Sequence, residues 1–225
     1  MNALIKYLFL LIAITLISAE ITPSQTVYNL PFASSGNRVE LTVTNSSTIT
    51  AKNVIVAVDS LPGWITMKQS SVSAGNMASK SEKVVTFTFD ADKKAPVGTN
   101  GIIKFKIISQ SGEQWNKEIK VKAGAPDKYE LYQNYPNPFN PNTIISYQLP
   151  YDSRVTIKIY NILGKEVSSL FDGFQTAGYY ENRFSAEGIN GRTLSSGMYI
   201  YRLTAKSSDG KSKEFSSIKK MMVLK

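Results

Sequence analysis

The feature that most constrains the fold of this chain is an alternation of apolar and polar residues with a period of two. It is clearest in residues 39–43 (VELTV), 85–89 (VTFTF) and 103–107 (IKFKI). This period is typical of half-buried antiparallel strands, whose successive side chains point to opposite faces of a sheet. Turn-forming residues separate the alternating runs, and no long helical period is present. Residues 20–122 are therefore predicted to form a β-sandwich of about seven strands.

The second half of the chain repeats this pattern after a short segment of small residues, Ala123-Gly124-Ala125-Pro126. Its clearest runs are residues 145–149 (ISYQL) and 155–159 (VTIKI). The sequence predicts a linker over residues 123–128 and a second, smaller sandwich over residues 129–225. The expected fold is all-β, with two Ig-like antiparallel β-sandwiches in tandem.

Residues 1–19 have the layout of a secretory signal peptide. Lys6 provides the positive charge, Tyr7 to Ile17 form an apolar run, and Ser18 and Ala19 are small residues suited to cleavage. The run is too short to span a bilayer, which takes about 20 apolar residues. The sequence therefore predicts a cleaved leader and export.

Composition excludes several functional classes. The chain has no histidine and no cysteine, which removes Ser-His-Asp catalysis, histidine-bound zinc, thiolate metal sites and disulfides. Its net charge of +9 comes from 26 basic and 17 acidic residues that are dispersed along the strands, so no nucleic-acid partner is expected. We predict a noncatalytic protein without a metal or a cofactor, although a glycosidase-like pair of carboxylates stays formally open.

Four ordered segments of the second half resemble a known sorting signal. They are Tyr132 to Pro150 (YQNYPNPFNPNTIISYQLP), Val155 to Leu170 (VTIKIYNILGKEVSSL), Leu194 to Leu203 (LSSGMYIYRL) and Lys219 to Lys225 (KKMMVLK). Together they are similar to the type IX secretion C-terminal sorting domain of the Bacteroidetes and their relatives. The resemblance covers residues 129–225 and places KKMMVLK where that family ends.

The resemblance implies a sorting signal composed of the proline-rich segment, the Gly-x-Tyr strand and the closing strand. Its expected residues are Asn134, Tyr135, Pro136, Asn137, Pro138, Phe139, Asn140, Pro141, Gly197, Tyr199, Lys219, Lys220, Met221, Met222, Val223, Leu224 and Lys225. Because proline fixes φ and disfavours helix in the preceding residue, the proline-rich segment is predicted to be an extended arm. Phe139 is predicted to anchor this arm in the core.

The same resemblance implies a route and partners. The chain would cross the inner membrane through the Sec machinery, fold in the periplasm and leave through the type IX translocon. The sorting domain would then be removed in or near residues 123–128, and the protein would be secreted or attached to surface lipopolysaccharide.

The first half resembles the Ig-like domain associated with alpha-galactosidases. The resemblance rests on Leu61 to Met67 (LPGWITM), on Ser73 to Gly75 and on Val85 to Thr99 (VTFTFDADKKAPVGT). It implies a module that binds, adheres or serves as a structural part, and it makes a glycan a candidate partner. The alternative is a small carbohydrate-active accessory protein or a remnant of a larger secreted glycoside hydrolase, although a leader at the start of the chain is not expected of such a remnant.

Two tryptophans and two aspartates are the candidate ligand-binding residues of this half. Trp64 follows a Pro-Gly turn, where it either caps the core or stacks on a sugar, and Trp115 would add a second platform. A core role for Trp64 is favoured because large aromatics are mostly buried. Asp90 and Asp92 offer two carboxylates, which are too few for a Ca²⁺ site on their own.

Overall fold

The structure is a computed structural model that describes residues 11–14, 26–187, 193–210 and 212–224, with side chains from residue 26 onward. Every regular element in these residues is a β-strand, which confirms the predicted all-β class. Apart from residues 11–14, which form a short strand, the predicted leader lies outside the described residues. No helix long and apolar enough to cross a membrane is present in the described part of the chain.

The chain divides into two compact units, Met1–Gly124 and Ala125–Lys225. The strands of the first unit are β1 (Leu11–Ile14), β2 (Val27–Leu30), β3 (Asn37–Thr44), β4 (Ala51–Ser60), β5 (Ile65–Met67), β6 (Ser71–Met77), β7 (Glu82–Ala91), β8 (Asn100–Ile108) and β9 (Gln114–Ala123). Those of the second unit are β10 (Glu130–Leu131), β11 (Asn142–Leu149), β12 (Ser153–Asn161), β13 (Glu166–Gln175), β14 (Gly178–Ser185), β15 (Gly197–Ser207) and β16 (Phe215–Val223).

The first unit is a sandwich of two sheets, ordered β1-β3-β7-β5 and β2-β9-β8-β4-β6. The three alternating runs that predicted strands lie in β3, β7 and β8, and their apolar members are all buried. Phe87 from one sheet and Phe105 from the other meet across the core, with ring centroids 4.9 Å apart. The period-two pattern therefore identified the inward faces of both sheets.

Two pairings in the first unit are parallel, although antiparallel sheets were expected. β2 pairs with the end of β9, and β1 pairs with β3. Because β2 and β9 are separated by six strands rather than by a tight turn, their connection does not require an antiparallel arrangement. All other pairs in both units are antiparallel.

The second unit is a sandwich of a three-stranded sheet, β10-β11-β14, and a four-stranded sheet, β13-β12-β15-β16. Its core combines Tyr147 of β11 with Ile157 of β12 and Tyr201 of β15, all fully buried. In the second sheet β16 is a terminal strand, paired with β15 on one side. The other side of β16 is the position to which the proline-rich arm leads.

Gly124 marks the boundary between the two units. Its N–H donates to the carbonyl oxygen of Leu30 at 2.9 Å, and a Cβ at this position would lie 2.6 Å from that oxygen. A larger residue would therefore push the chain away from β2. In the following segment, Asp127 and Lys128 are exposed whereas Pro126 is buried.

Limited proteolysis should separate the two units before it degrades either one. Lys128 is the exposed basic residue beside the boundary, so trypsin should cut there while the strand backbones stay protected by their hydrogen bonds. Mass spectrometry of the early fragments should show a resistant piece that contains β2–β9. An initial cut between residues 40 and 110 would contradict this two-domain organisation.

Candidate functional site: an arm paired with the closing strand

The proline-rich arm, residues 132–141, runs from β10 to β11 without regular secondary structure of its own. The peptide bonds before Pro136, Pro138 and Pro141 are cis. At Tyr135 the arm exchanges two backbone hydrogen bonds with Ile144, at 3.0 and 2.9 Å. The arm is therefore held to the start of β11 as well as to the partners described below.

Phe139 inserts into the core and joins the arm to β16. Its side chain is 2% exposed and meets the ring of Phe184, with centroids 6.0 Å apart. Its N–H donates to the carbonyl oxygen of Met222, and its carbonyl accepts from the N–H of Leu224, both at 3.0 Å. The predicted anchoring of the arm by Phe139 is confirmed, and the anchor also forms a parallel bridge with Val223.

Side chains of the arm add two further contacts with β16. The Asn137 carbonyl oxygen Oδ1 accepts from the N–H of Met222 at 2.9 Å. The Gln133 amide Nε2 donates to the carbonyl oxygen of Lys220 at 2.7 Å. The arm therefore satisfies backbone groups on the edge of β16 that would otherwise be open to pairing with another strand.

The Gly-x-Tyr segment lies on the other side of β16. Gly197 is opposite Val223 and Tyr199 is opposite Met221 in the antiparallel register of β15 and β16. The predicted sorting residues thus converge on one edge of the four-stranded sheet, with the exception of Lys225, which lies outside the described residues. We call this edge, made of residues 134–141, Gly197, Tyr199 and residues 219–224, the sorting edge.

A tyrosine that sequence reasoning did not single out fixes the arm from inside the core. The hydroxyl of Tyr201 donates to the carbonyl oxygen of Tyr132 and accepts from the N–H of Asn134, both at 2.8 Å. Burial raises the pKa of Tyr201 to about 12, so its hydroxyl keeps its proton at neutral pH and both bonds persist. Tyr201 stands two residues after Tyr199 on the inward face of β15, which is the only sequence signal of its position.

Asn134 completes the buried polar cluster under the arm. Its side-chain amide donates to the hydroxyl of Thr143 at 2.9 Å and to the carbonyl of Pro136 at 3.0 Å. The Thr143 hydroxyl donates to the same carbonyl at 2.8 Å. Since buried polar groups are costly when unpaired, this closed set of bonds holds the arm in one conformation.

The outward surface of the sorting edge combines apolar and aromatic side chains with the amides of Asn137 and Asn140 and the ammonium group of Lys220. Tyr135 is 80% exposed, and Met222 and Leu224 are 39% and 47% exposed. Lys220 is exposed on the same face of β16, whereas Met221 and Val223 point into the core. Such a surface suits recognition by a protein rather than chemistry on a small substrate.

The two tryptophans of the first unit lie at opposite ends of β8. Trp64 is half-buried and packs with Pro62 over Gly101, where an added Cβ would lie 2.9 Å from the indole. Trp115 pairs in register with Ile107, six residues further along β8. At about 3.3 Å per residue this separates them by about 20 Å, so they do not form one platform.

The two candidate aspartates have different partners. Asp90 forms an ion pair with Lys68 and accepts a hydrogen bond from the N–H of Gly36. The Lys68 hydrogen bond holds the pKa of Asp90 below its usual value. Asp92 lies in the turn after β7, where its carboxylate accepts from the N–H of Lys94 at 2.6 Å. In the described residues no three acidic side chains are grouped as metal ligands would be.

Trp115 lines a cavity of about 680 Å³ between the two sheets of the first unit. The walls come from the β3–β4 loop, the start of β4 and the β8–β9 turn. Sequence reasoning identified Trp115 but not the cavity, because the elements that form it are up to 70 residues apart in the chain. A concave site of this volume falls within the range of small-molecule sites, about 300–1,000 Å³.

The C-terminal sandwich thus brings the predicted sorting residues together on one edge. Residues 133–219 match the family model described as the secretion system C-terminal sorting domain. The match confirms the predicted resemblance to the type IX sorting domain, and it indicates a secreted or outer cell-surface location. The match does not extend to residues 20–122, where the resemblance to the alpha-galactosidase-associated domain stays a prediction.

Comparisons with solved structures give only distant likenesses. The chain is 15% identical to dimeric latent PorU from Porphyromonas gingivalis, with a TM-score of 0.36, covering 91% of this chain and 19% of that one. The chain is 15% identical to the E. coli chaperone DraB, with a TM-score of 0.30, covering 88% of this chain and 94% of that one. It is 12% identical to the secreted serine protease VesC from Vibrio cholerae, with a TM-score of 0.32, covering 87% of this chain and 48% of that one. TM-scores this low carry no functional conclusion, and no curated protein matches the chain.

The change Tyr201→Phe should destabilise the C-terminal domain by about 1–3 kcal/mol, because it leaves the Tyr132 carbonyl and the Asn134 N–H buried without a partner. Calorimetry should show the loss, while tryptophan fluorescence, which reports only the first unit, stays unchanged. Tyr199→Phe is the matched control, since its hydroxyl donates to the carbonyl of Ser195 outside the arm. Equal losses in the two variants would contradict the special position of Tyr201.

The change Trp64→Ala should lower the stability of the first unit by about 3 kcal/mol, the lower end of the range for core tryptophan, because the side chain is half-buried. The fluorescence of Trp115, the tryptophan that remains, would report the melt. Val84→Ala removes an exposed apolar side chain from the same unit and should change stability by no more than about 0.5 kcal/mol. An unchanged melt of Trp64→Ala would instead favour an exposed sugar platform at Trp64.

Proposed function

We propose that the export machinery recognises the sorting edge as a folded surface, and that the first unit is a noncatalytic module that binds, adheres or serves as a structural part at the cell surface. The observation that carries the first half of this proposal is the convergence of the arm, the start of β15 and the end of β16 on one edge. The end of the arm, at residue 141, precedes Gly197 by 56 residues and Lys219 by 78 residues.

The sorting edge contains buried residues that build it and exposed residues that a partner could contact, and this separation supports recognition in the folded state. Phe139, Met221 and Val223 are buried and build the edge, whereas Tyr135, Met222 and Leu224 are exposed upon it. An unfolded signal would not need the buried cluster around Asn134 and Tyr201. We therefore expect the translocon to contact the exposed set and to depend on the buried set for its arrangement.

The noncatalytic part of the proposal is supported by composition and by the state of the acidic groups. The chain lacks histidine and cysteine, and Asp90 is neutralised by Lys68. The cavity beside Trp115 offers a binding site in place of a reaction centre. A carbohydrate-active accessory role is the second candidate, because the same cavity has an aromatic wall.

The remaining proposed partners are those that the chain would meet along its export route. A Sec-dependent leader at residues 1–19 would bring the chain to the periplasm. Removal of the sorting domain would take place near the exposed pair Asp127 and Lys128, within the predicted linker of residues 123–128. Attachment of the freed first unit to surface lipopolysaccharide, or its release, completes the proposal.

Deletion of Met221–Lys225 should leave the protein in the periplasm, because it removes both the exposed residues and the backbone partners of Phe139.

A sharper variant is the double change Met222→Ser and Leu224→Ser, which alters only exposed side chains of the sorting edge. It should block export while the melting temperature of the C-terminal domain stays unchanged. Cell fractionation with immunoblotting of periplasm, surface and medium measures the outcome.

The control changes two apolar residues elsewhere in the same domain that are more exposed than Met222 and Leu224. Ile162 and Leu163 lie in the β12–β13 turn and are 70% and 85% exposed. Ile162→Ser with Leu163→Ser should be exported normally. Normal export of the Met222/Leu224 variant, or an equal block by the control, would contradict recognition through the sorting edge.

A further inference from the structure

The cavity lies at the Trp115 end of the first unit, between the β3–β4 loop and the β8–β9 turn. In the described residues, β2 pairs with β9 over Lys120–Ala123, at the end of β9 away from Trp115. Trp115 faces inward, opposite the buried Ile107, yet it is half-exposed. The indole therefore forms a side wall of the cavity rather than part of a sealed core.

The accessible apolar surface of the cavity comes from the indole of Trp115, from Ile49, which is 73% exposed, and from the half-buried Ala51. Val43, Val54, Met77 and Ile107 form the floor, but they are at most 3% exposed and contribute almost no accessible area. Trp115 is the one aromatic residue among the described residues of this lining, and Ile49 adds aliphatic contact from the β3–β4 loop. A flat indole beside polar rim groups favours a ligand with one flat apolar face over a long aliphatic chain, which needs apolar surface on all sides.

Polar groups stand around the rim. The Gln110 carbonyl oxygen Oε1 accepts from the Asn53 amide at 3.0 Å, which orients the Gln110 amide and leaves its Nε2 donor available. One oxygen of Glu113 accepts from the Ser111 hydroxyl at 3.2 Å, and the other can accept from a ligand. Lys52 adds an ammonium group to the lining. One cation and one anion balance each other, so the rim does not select a strongly charged ligand.

The loop that forms one side of the cavity is fixed before any ligand arrives. Asn45 is 3% exposed, and its amide donates to the carbonyls of Ile49, Met77 and Ala78 at 2.8, 3.0 and 3.0 Å. Its Oδ1 accepts from the N–H and hydroxyl of Ser47. Because this wall is already ordered, binding a ligand costs less conformational entropy.

We infer that this cavity binds a saccharide, with the C–H face of one sugar ring on the indole of Trp115 and its hydroxyl groups on Gln110 and Glu113. A sugar combines one apolar face with an edge of hydroxyl donors and acceptors, which matches one aromatic wall beside planar amide and carboxylate groups. The inference rests on the proposed binding role of the first unit and names its ligand class. Trp64, at the other end of β8, takes no part.

The chain itself supplies an internal reference for the test, since it has two tryptophans and both lie in the first unit. The two indole N–H resonances of the full-length protein can be assigned with Trp64→Phe and Trp115→Phe. Titration with cellotriose, maltotriose, mannotriose and chitotriose should shift the Trp115 resonance saturably with at least one of them. The Trp64 resonance should stay in place.

Rim and wall variants then locate the contacts. Gln110→Ala should weaken binding about threefold to tenfold, the effect of one neutral hydrogen bond, without a change in melting temperature. Trp115→Ala should abolish binding. If that variant does not fold, Gln110→Ala and Glu113→Gln test the site without touching the core. Ser73→Ala, outside the cavity lining, is the control and should bind like the unchanged protein.

Saturable shifts of Trp115 that Gln110→Ala weakens support the inference. It is overturned if none of the four trisaccharides shifts Trp115, or if decanoate does so and the sugars do not. It is also overturned if sugars bind but shift Trp64 alone, a result that leaves the proposed binding role of the first unit intact. The proposed role itself fails separately, if the exported protein degrades these trisaccharides in a turnover assay.

Discussion

The pairing between the arm and the open side of β16 is the interaction on which the C-terminal domain depends. A terminal strand has a row of unpaired N–H and carbonyl groups, and an exported protein that folds in a crowded compartment must cover them. Here Phe139 supplies one donor and one acceptor to the edge while its ring fills the core between the sheets. Phe139 therefore both pairs with the open side of β16 and fills the core between the two sheets.

The proline content of the arm suits this partial closure. A proline nitrogen cannot donate, so a segment with three prolines in six residues cannot form a continuous ladder with β16. The missing backbone contact is replaced by a side chain, as Asn137 Oδ1 accepts from Met222 N–H. The arm thereby covers the edge without extending the sheet, while residues 135–138 and Asn140 stay exposed.

Much of this fold is readable from the sequence, because alternation reports burial directly. Val155, Ile157 and Ile159 were placed on one face by their spacing, and all three are fully buried. The burial of Phe139 was also predicted, because a large aromatic side chain between two prolines of an extended arm can anchor that arm in the core. The pairing of Phe139 with Val223 was not predicted, because contacts between residues 84 positions apart leave no local pattern. The double hydrogen bond of Tyr201 is hidden for the same reason, since alternation gives its direction but not its partners.

The first unit differs from the second in how it ends rather than in how its core is built. Both cores consist of inward-facing residues from two sheets, but the first unit has a cavity between its β3–β4 loop and its β8–β9 turn. Trp115 lines this cavity, and its indole is half-exposed. Leaving a sandwich open at this end costs some apolar burial, and the polar rim with its rigid Asn45 loop keeps the opening from collapsing. The hydrogen bonds of Asn45 hold one wall of the opening in a single conformation, which is what the proposed saccharide site requires.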